Sequence, residues 1–241
     1  MSTLLLSDLH LPAQPSPLRE QFKALLDGPA RNAQAVYLLG DLFEYWVGDD
    51  IGLDVYADEI AALARLARSG VALYAMRGNR DFLLGERFER ESGVHLLPDP
   101  SVARIEGRSW LLSHGDLWCT DDVGYQRWRW FAHRPVVQTA FTHLPRRWRE
   151  QIAGGLRRGS QQAKAGKSSA IMDVNPSAVI AALRSAGVTQ MIHGHTHRPA
   201  QHRLEIDGRP GLRIVLPDWH DDRCEVLVID RDSIKTLRLT D

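Results

Sequence analysis

The sequence predicts an α/β protein in which two mixed sheets lie between outer helices (αββα), with a helical insertion in its second half. Short apolar runs of strand type alternate with helical patterns over residues 1–100, which points to βαβ units and a mostly parallel sheet. The later chain carries paired β-type runs joined by turns, such as 102–105 and 109–113 around Glu106-Gly107-Arg108. Residues 121–167 have a composition of their own, rich in Arg and Trp, and read as helices.

Taken in order, the first strand runs through Leu4-Leu5-Leu6 and ends in Ser7-Asp8-Leu9-His10. Pro12, Pro15 and Pro17 mark a loop, after which Leu18, Phe22, Leu25 and Leu26 recur at helical spacing. A second strand, 35–39, stops at Gly40-Asp41 and leads into Leu42-Phe43-Glu44-Tyr45-Trp46. Residues 55–69, rich in Ala and Leu with Arg interspersed and closed by Gly70, predict a helix with a glycine C-cap. The third strand, 71–76, ends in Arg77-Gly78-Asn79-Arg80-Asp81. The second strand of the hairpin runs into Ser113-His114-Gly115-Asp116, and a strand at Met191-Ile192 runs into His193-Gly194-His195-Thr196-His197. Within the insertion, Pro135 followed by Val136, Val137, Ala140, Phe141 and Leu144 predicts an amphipathic helix with proline in its first turn, and Pro145 opens another. Four runs, 202–206, 212–216, 224–229 and 234–239, predict an antiparallel meander.

A chain of 241 residues buries a sizeable core as one domain, 1–241, with the insertion inside it. Thirty basic residues balance thirty acidic ones, which gives no global pull toward nucleic acid or membrane. The imbalance is local: the insertion carries Arg and Lys from Arg127 to Lys167 against very few acids, interleaved with Trp128, Trp130, Phe131 and Trp148. By composition alone this is a solvated helical face or a strand-binding surface, and the neutral total and lack of a nucleic-acid module argue against the latter. Cys119 and Cys224 are too few for a disulfide framework, so a reducing cytoplasm is expected. No leader is read at the amino terminus, and no apolar run approaches the roughly 18 residues of a membrane span.

Five strand ends therefore carry one set of polar side chains: Asp8, His10, Asp41, Asn79, His114, His195 and His197. In open α/β sheets the carboxyl edge is where ligands bind. Alone, Asp41 would be a turn residue and any single His a core histidine. Together they are carboxylate, imidazole and amide donors without thiolates, the set preferred by borderline-to-hard divalent ions, and enough of them for two ions sharing Asp41.

The motifs Asp8-x-His10, Gly40-Asp41, Gly78-Asn79-Arg80-Asp81, His114-Gly115-Asp116 and Gly194-His195-x-His197 resemble, in order and across nearly the whole chain, the calcineurin-like metallophosphoesterases. One departure narrows the resemblance. Most of that superfamily has His after the Asn, where this chain has Arg80. The Gly-Asn-Arg-Asp form, with Gly194-His195-Thr196-His197-Arg198-Pro199 and the basic insertion, resembles the branch that hydrolyses the pyrophosphate of UDP-2,3-diacylglucosamine in lipid A synthesis. The resemblance implies Asp8, His10, Asp41 and His197 on one ion and Asp41, Asn79, His114 and His195 on the other. Manganese is the implied metal, although the donor set also admits zinc and iron. It implies attack of water on the uridine-side phosphorus with Arg80 catalytic. Substrate contacts are implied at Asn79, Arg80, Asp122, Ser160, Lys164, Lys167 and His195, with Tyr125 a further candidate. The insertion then becomes a lid, its apolar side chains over acyl chains and its Arg and Trp toward anionic lipid, at the cytoplasmic face of the inner membrane. Neither nucleic acid nor a protein partner is expected. Rival readings are a phosphoesterase acting on phosphoproteins or on cyclic or dinucleoside nucleotides, and a scaffold of the same fold without catalysis.

Overall fold

Side-chain alternation along β1 (Ser2–Leu6) sets the layers: Leu4 and Leu6 face a helical layer, while Leu5 faces a second sheet. The computed structural model describes residues 2–165 and 173–239, except the side chains of Arg157 and of 160–165. β1 pairs in parallel with β2 (Ala33–Leu39), followed by β3 (Ala72–Met76) and β4 (His95–Leu96). On its other side, β10 (Cys224–Ile229) and β11 (Ile234–Leu239) add antiparallel strands, giving the order β11-β10-β1-β2-β3-β4. The second sheet contains β5 (Ser101–Ile105), β6 (Arg108–Ser113), β7 (Gln190–His193), β8 (Ala200–Ile206) and β9 (Arg209–Val215), in the order β5-β6-β7-β9-β8. Its three inner strands are parallel and its two edges antiparallel.

Leu5, Tyr37, Leu39, Trp110, Leu112 and Ile192 fill the space between the sheets. Phe22 and Leu25 of α1 (Pro17–Asp27), Ile60 and Leu63 of α3 (Ala57–Arg68) and Phe88 of α4 (Glu86–Ser92) cover the six-stranded sheet. Val179 and Leu183 of α8 (Pro176–Ala186) cover the other. The predicted αββα layering is therefore the observed one.

Two elements differ from the sequence reading. The helix expected over 55–69 is α3, and a short helix that the sequence reading did not include, α2 (Asp49–Val55), precedes it, with Tyr56 between the two. Tyr56 is fully buried and its hydroxyl donates to Leu11 O at 3.0 Å, so the break serves to bury that ring. The expected meander is divided: β8 and β9 pair in one sheet, β10 and β11 in the other. The connection between β9 and β10 crosses from sheet to sheet because β9 takes a parallel place beside β7, with its far side closed by β8.

The insertion folds as α5 (Val123–Ala132), α6 (Pro135–Thr142) and α7 (Arg146–Ala165), with the prolines at 135 and 145 opening α6 and preceding α7 as expected. Two of its arginines, counted above among the outward basic residues, face inward. Arg149 is 3% exposed, donates to Val47 O at 2.7 Å and Asp50 Oδ1 at 2.8 Å, and fixes α7 to α2. The Arg129 Nε donates to the buried Asp116 carboxylate at 2.8 Å, beside the Tyr125 hydroxyl on the same oxygen. Each guanidinium is drawn in because a buried carboxylate or backbone carbonyl needs a donor.

A third inward arginine, outside the insertion, clamps α1 to α3. Arg19 donates through Nε to Glu59 Oε1 at 2.8 Å and through Nη2 to Oε2 at 2.6 Å, and Glu59 is wholly buried. Replacing Arg19 by Met is expected to strand that carboxylate and lower unfolding free energy by about 3–5 kcal/mol in urea denaturation. The double replacement Arg19→Met with Glu59→Leu is expected to recover most of the loss.

Candidate metal centre

The strands β1, β2, β3, β6 and β7 deliver their carboxyl ends to one place, and the backbone there is unusual. Among the described residues, seven non-glycine residues have positive φ, and five of them are Asp8 (56°), His10 (47°), Asp41 (52°), His195 (68°) and His197 (54°). Left-handed backbone is unfavourable for such residues and persists only where surroundings enforce it. The enforcement is a set of hydrogen bonds. His10 N donates to Asp41 O at 3.0 Å, and His195 N to Asp8 Oδ2 at 2.7 Å. The Asp81 carboxylate accepts from Leu42 N at 2.7 Å and Gly78 N at 2.8 Å, and from Asp41 N and Phe43 N at 3.3 Å. Close approach also dictates two glycines of the motifs. A Cβ on Gly78 would lie 2.2 Å from Asp41 Oδ1, and one on Gly194 would lie 2.1 Å from Ser7 Oγ.

The side chains so placed form two convergent groups, Asp8 with His10 and His197, and Asp8 with Asp41 and His114, each with donor atoms within 4.8 Å of one another. His10 Nε2 and His197 Nε2 stand 3.3 Å apart, and they lie 3.9 Å and 3.4 Å from Asp8 Oδ1. Asp8 rather than Asp41 is common to both groups, while Asp41 straddles them, its Oδ2 3.8 Å from His10 Nδ1 and its Oδ1 3.8 Å from His114 Nε2. Asn79 Oδ1 is 3.1 Å from His114 Nε2, and the His195 ring meets the His114 ring edge-on at 5.0 Å. His114 Nδ1 lies 2.9 Å from Leu39 O, so its Nε2 is turned to the centre.

These residues fit a divalent cation. Asp8 Oδ1 and His10 Nδ1 are buried in the centre without a hydrogen-bond partner, an arrangement that costs free energy unless something compensates. Burial and the facing charges oppose one another here. Burial disfavours ionised Asp8, yet His197, His114 and His10 around it hold its carboxyl well below the usual range. Burial also opposes the charged forms of His114 and His197, but the carboxylates facing them lift both to about 9. His10 goes the other way, pushed down by burial to about 3.

The seven expected donors are thus brought together, and Arg80 lies at their edge. Its Nη1 pairs with Glu44 Oε1, and its Nε is 3.8 Å from Asp41 Oδ2. Asp122 heads α5, accepting from Tyr125 N at 3.1 Å, and the Tyr125 ring stacks on His195 at 6.1 Å. The side chains of Ser160 and Lys164, and the whole of Lys167, lie outside the described residues. Sequence reasoning assigned no role to Asp81, Glu44, Asp116 or Asp218, whose carboxylates brace this centre. Asp81 and Asp116 sit inside quoted motifs and Glu44 follows Asp41 closely; Asp218 lies in an Asp- and His-rich stretch beside Trp219, 218–222, that the motifs do not include.

The sequence profile of the calcineurin-like phosphoesterases matches residues 1–199. A protein named UDP-2,3-diacylglucosamine hydrolase from Enterobacter sp. (strain 638) is 47% identical over 228 residues, covering 95% of this chain and 95% of its own. One of the same name from Escherichia coli O17:K52:H18 (strain UMN026 / ExPEC) is 47% identical over 232 residues, 96% of this chain and 97% of its own. A solved structure titled as a novel archaeal phosphodiesterase aligns over 99% of this chain and 100% of that one, with a TM-score of 0.49 at 15% identity, too distant to carry an argument. With its profile spanning all five strand ends and its relatives aligned over nearly their whole length, the chain belongs to the calcineurin-like phosphoesterase family, which uses divalent metal ions.

Proposed function

We propose that this chain is the metal-dependent hydrolase that splits the pyrophosphate of UDP-2,3-diacylglucosamine into UMP and 2,3-diacylglucosamine 1-phosphate, a step of lipid A synthesis. The observation that carries this reading is Arg80 standing beside the convergent donors, where its guanidinium is 3.8 Å from Asp41 Oδ2 and held by Glu44. The name of the relatives supplies the substrate.

The chemistry favours an arginine at that position. A phosphate leaving group, whose conjugate acid has a pKa of about 6, departs without being protonated. What it does need is stabilisation of growing negative charge, and a guanidinium offers a permanent charge in a planar fork. In this reading Asp8, His10, Asp41 and His197 would hold one ion and Asp41, Asn79, His114 and His195 the other, and we assign manganese to both. Such ions supply Lewis acidity toward phosphoryl oxygens and make water acidic enough to attack at neutral pH. By the resemblance, Asn79, Arg80, Asp122, Ser160, Lys164, Lys167 and His195 contact the phosphosugar, with Tyr125 a further candidate. Attack falls on the uridine-side phosphorus.

The insertion, 121–167, serves as the lid. Among the described residues, eight of the ten exposed large hydrophobic side chains belong to it, including Val136 at 81%, Trp130 at 63% and Trp148 at 55%. No described helix is long and apolar enough to cross a membrane. Exposed Trp beside Arg suits an interfacial surface, and we assign it to peripheral attachment at the cytoplasmic face of the inner membrane. Val137, Phe141 and Leu144 are half-buried, and we assign them to covering the acyl chains.

The purified protein with manganese is expected to release UMP from UDP-2,3-diacylglucosamine, to lose that activity on chelation, and in oxygen-18 water to place the label in UMP. Label in the lipid phosphate would refute the assigned point of attack. Asp41→Ala is expected to abolish turnover and metal retention together. Arg80→Ala should keep its metal and lose roughly 3 kcal/mol of transition-state stabilisation, read as a 10²–10³-fold fall in kcat. Replacing Trp130 and Trp148 by Ser is expected to weaken co-sedimentation with anionic liposomes at low salt, and an unchanged sedimented fraction would remove the lid surface from membrane attachment.

A further inference from the structure

Asp218 lies in the connection between β9 and β10 and is almost wholly buried, with 4% of its surface exposed. Its Oδ2 is 3.0 Å from His197 Nδ1 and 2.8 Å from His220 Nε2, and its Oδ1 accepts from Arg223 Nη2 at 3.3 Å. The connection is fixed on both sides of it. Leu216 N donates to His193 O at 2.7 Å, at the end of β7, and Trp219 N donates to Asp8 O at 3.1 Å. Trp219 is itself buried, with its Nε1 donating to Glu225 O at 2.8 Å. The carboxylate therefore belongs to the same rigid frame as Asp8 and the strand that delivers His195 and His197.

We infer that Asp218 is a positioning residue for His197: by accepting from Nδ1 it fixes ring orientation and tautomer, so that Nε2 keeps its lone pair for a divalent cation. The inference rests on the proposed metal reading of the centre. An imidazole bears its hydrogen on one nitrogen when neutral, and the partner of that nitrogen decides which. Here Nδ1 faces a carboxylate, while Nε2 faces Asp8 Oδ1 at 3.4 Å and His10 Nε2 at 3.3 Å. His114 has the equivalent support from a backbone carbonyl, Leu39 O. His197 differs in exposure, with 35% of its side chain accessible against 15% for His10 and 0% for His114. Packing holds it least, so an outer carboxylate contributes most there, and such a partner also raises ligand basicity.

The test is titration of metal-free protein with manganese alone, read by calorimetry. Asp218→Ala is expected to weaken one manganese site about 10–100-fold while circular dichroism stays native. Asp218→Asn, which can still accept at Nδ1, is expected to lose less, and it carries the test if the alanine variant does not fold. His220→Ala and Arg223→Met remove the other partners of the carboxylate and are expected to leave affinity unchanged. Nitrogen-15 shifts of metal-free protein, recorded at a pH above the raised pKa of His197 so that its ring is neutral, should show it protonated at Nδ1, and a tautomer mixture in Asp218→Ala. Wild-type affinity in Asp218→Ala, an equal loss in His220→Ala, or a neutral ring protonated at Nε2 would each overturn the inference. A wild-type protein that binds no manganese would instead overturn the metal reading beneath it.

Discussion

The Asp81 carboxylate, buried and receiving amide protons from Gly78, Asp41, Leu42 and Phe43, is the contact on which the centre depends. It binds the turn after β3 to the turn after β2, and so holds Asp41 in a conformation an unconstrained aspartate rarely adopts. Without such a brace the left-handed backbone at Asp41 would relax, and with it the carbonyl that receives His10 N. Strain at a functional site is sustained by ordinary hydrogen bonds in the turns around it.

That arrangement explains how much was legible in the sequence. A buried parallel strand is a short apolar run, and its end is marked when a polar residue interrupts the run, so Asp8, Asp41, Asn79, His114 and His195 announced themselves. The layering followed from the change between βαβ alternation and paired β runs. Less legible was anything decided between distant segments. The junction of α2 with α3 is held by Tyr56, whose hydroxyl donates to Leu11 O, a partner 45 residues away. Which sheet received β10 and β11 turned on pairing with β1, which local periodicity does not encode.

The same limit governs charge. Composition places Arg129 and Arg149 with the other basic residues of the insertion, yet each answers a carboxylate, Asp116 and Asp50, outside the insertion. These arginines are structural pins: Arg149 fixes α7 to α2, and Arg129 fixes α5 to Asp116 after β6. An even total of positive and negative residues conceals three separate uses of arginine: pinning helices, clamping α1 to α3, and standing beside the convergent donors.

The crossing from β9 to β10 ties these levels together. Because its backbone bonds to Asp8 and its carboxylate to His197, one short loop is stitched both to the ligand cluster and to the seam between the sheets. A cation gripped by side chains from both sheets would act as a rivet through that seam, and ligation of the folded form alone would stabilise it by mass action. Catalytic competence and cohesion of the two halves are then coupled, so that damage to either loosens the other.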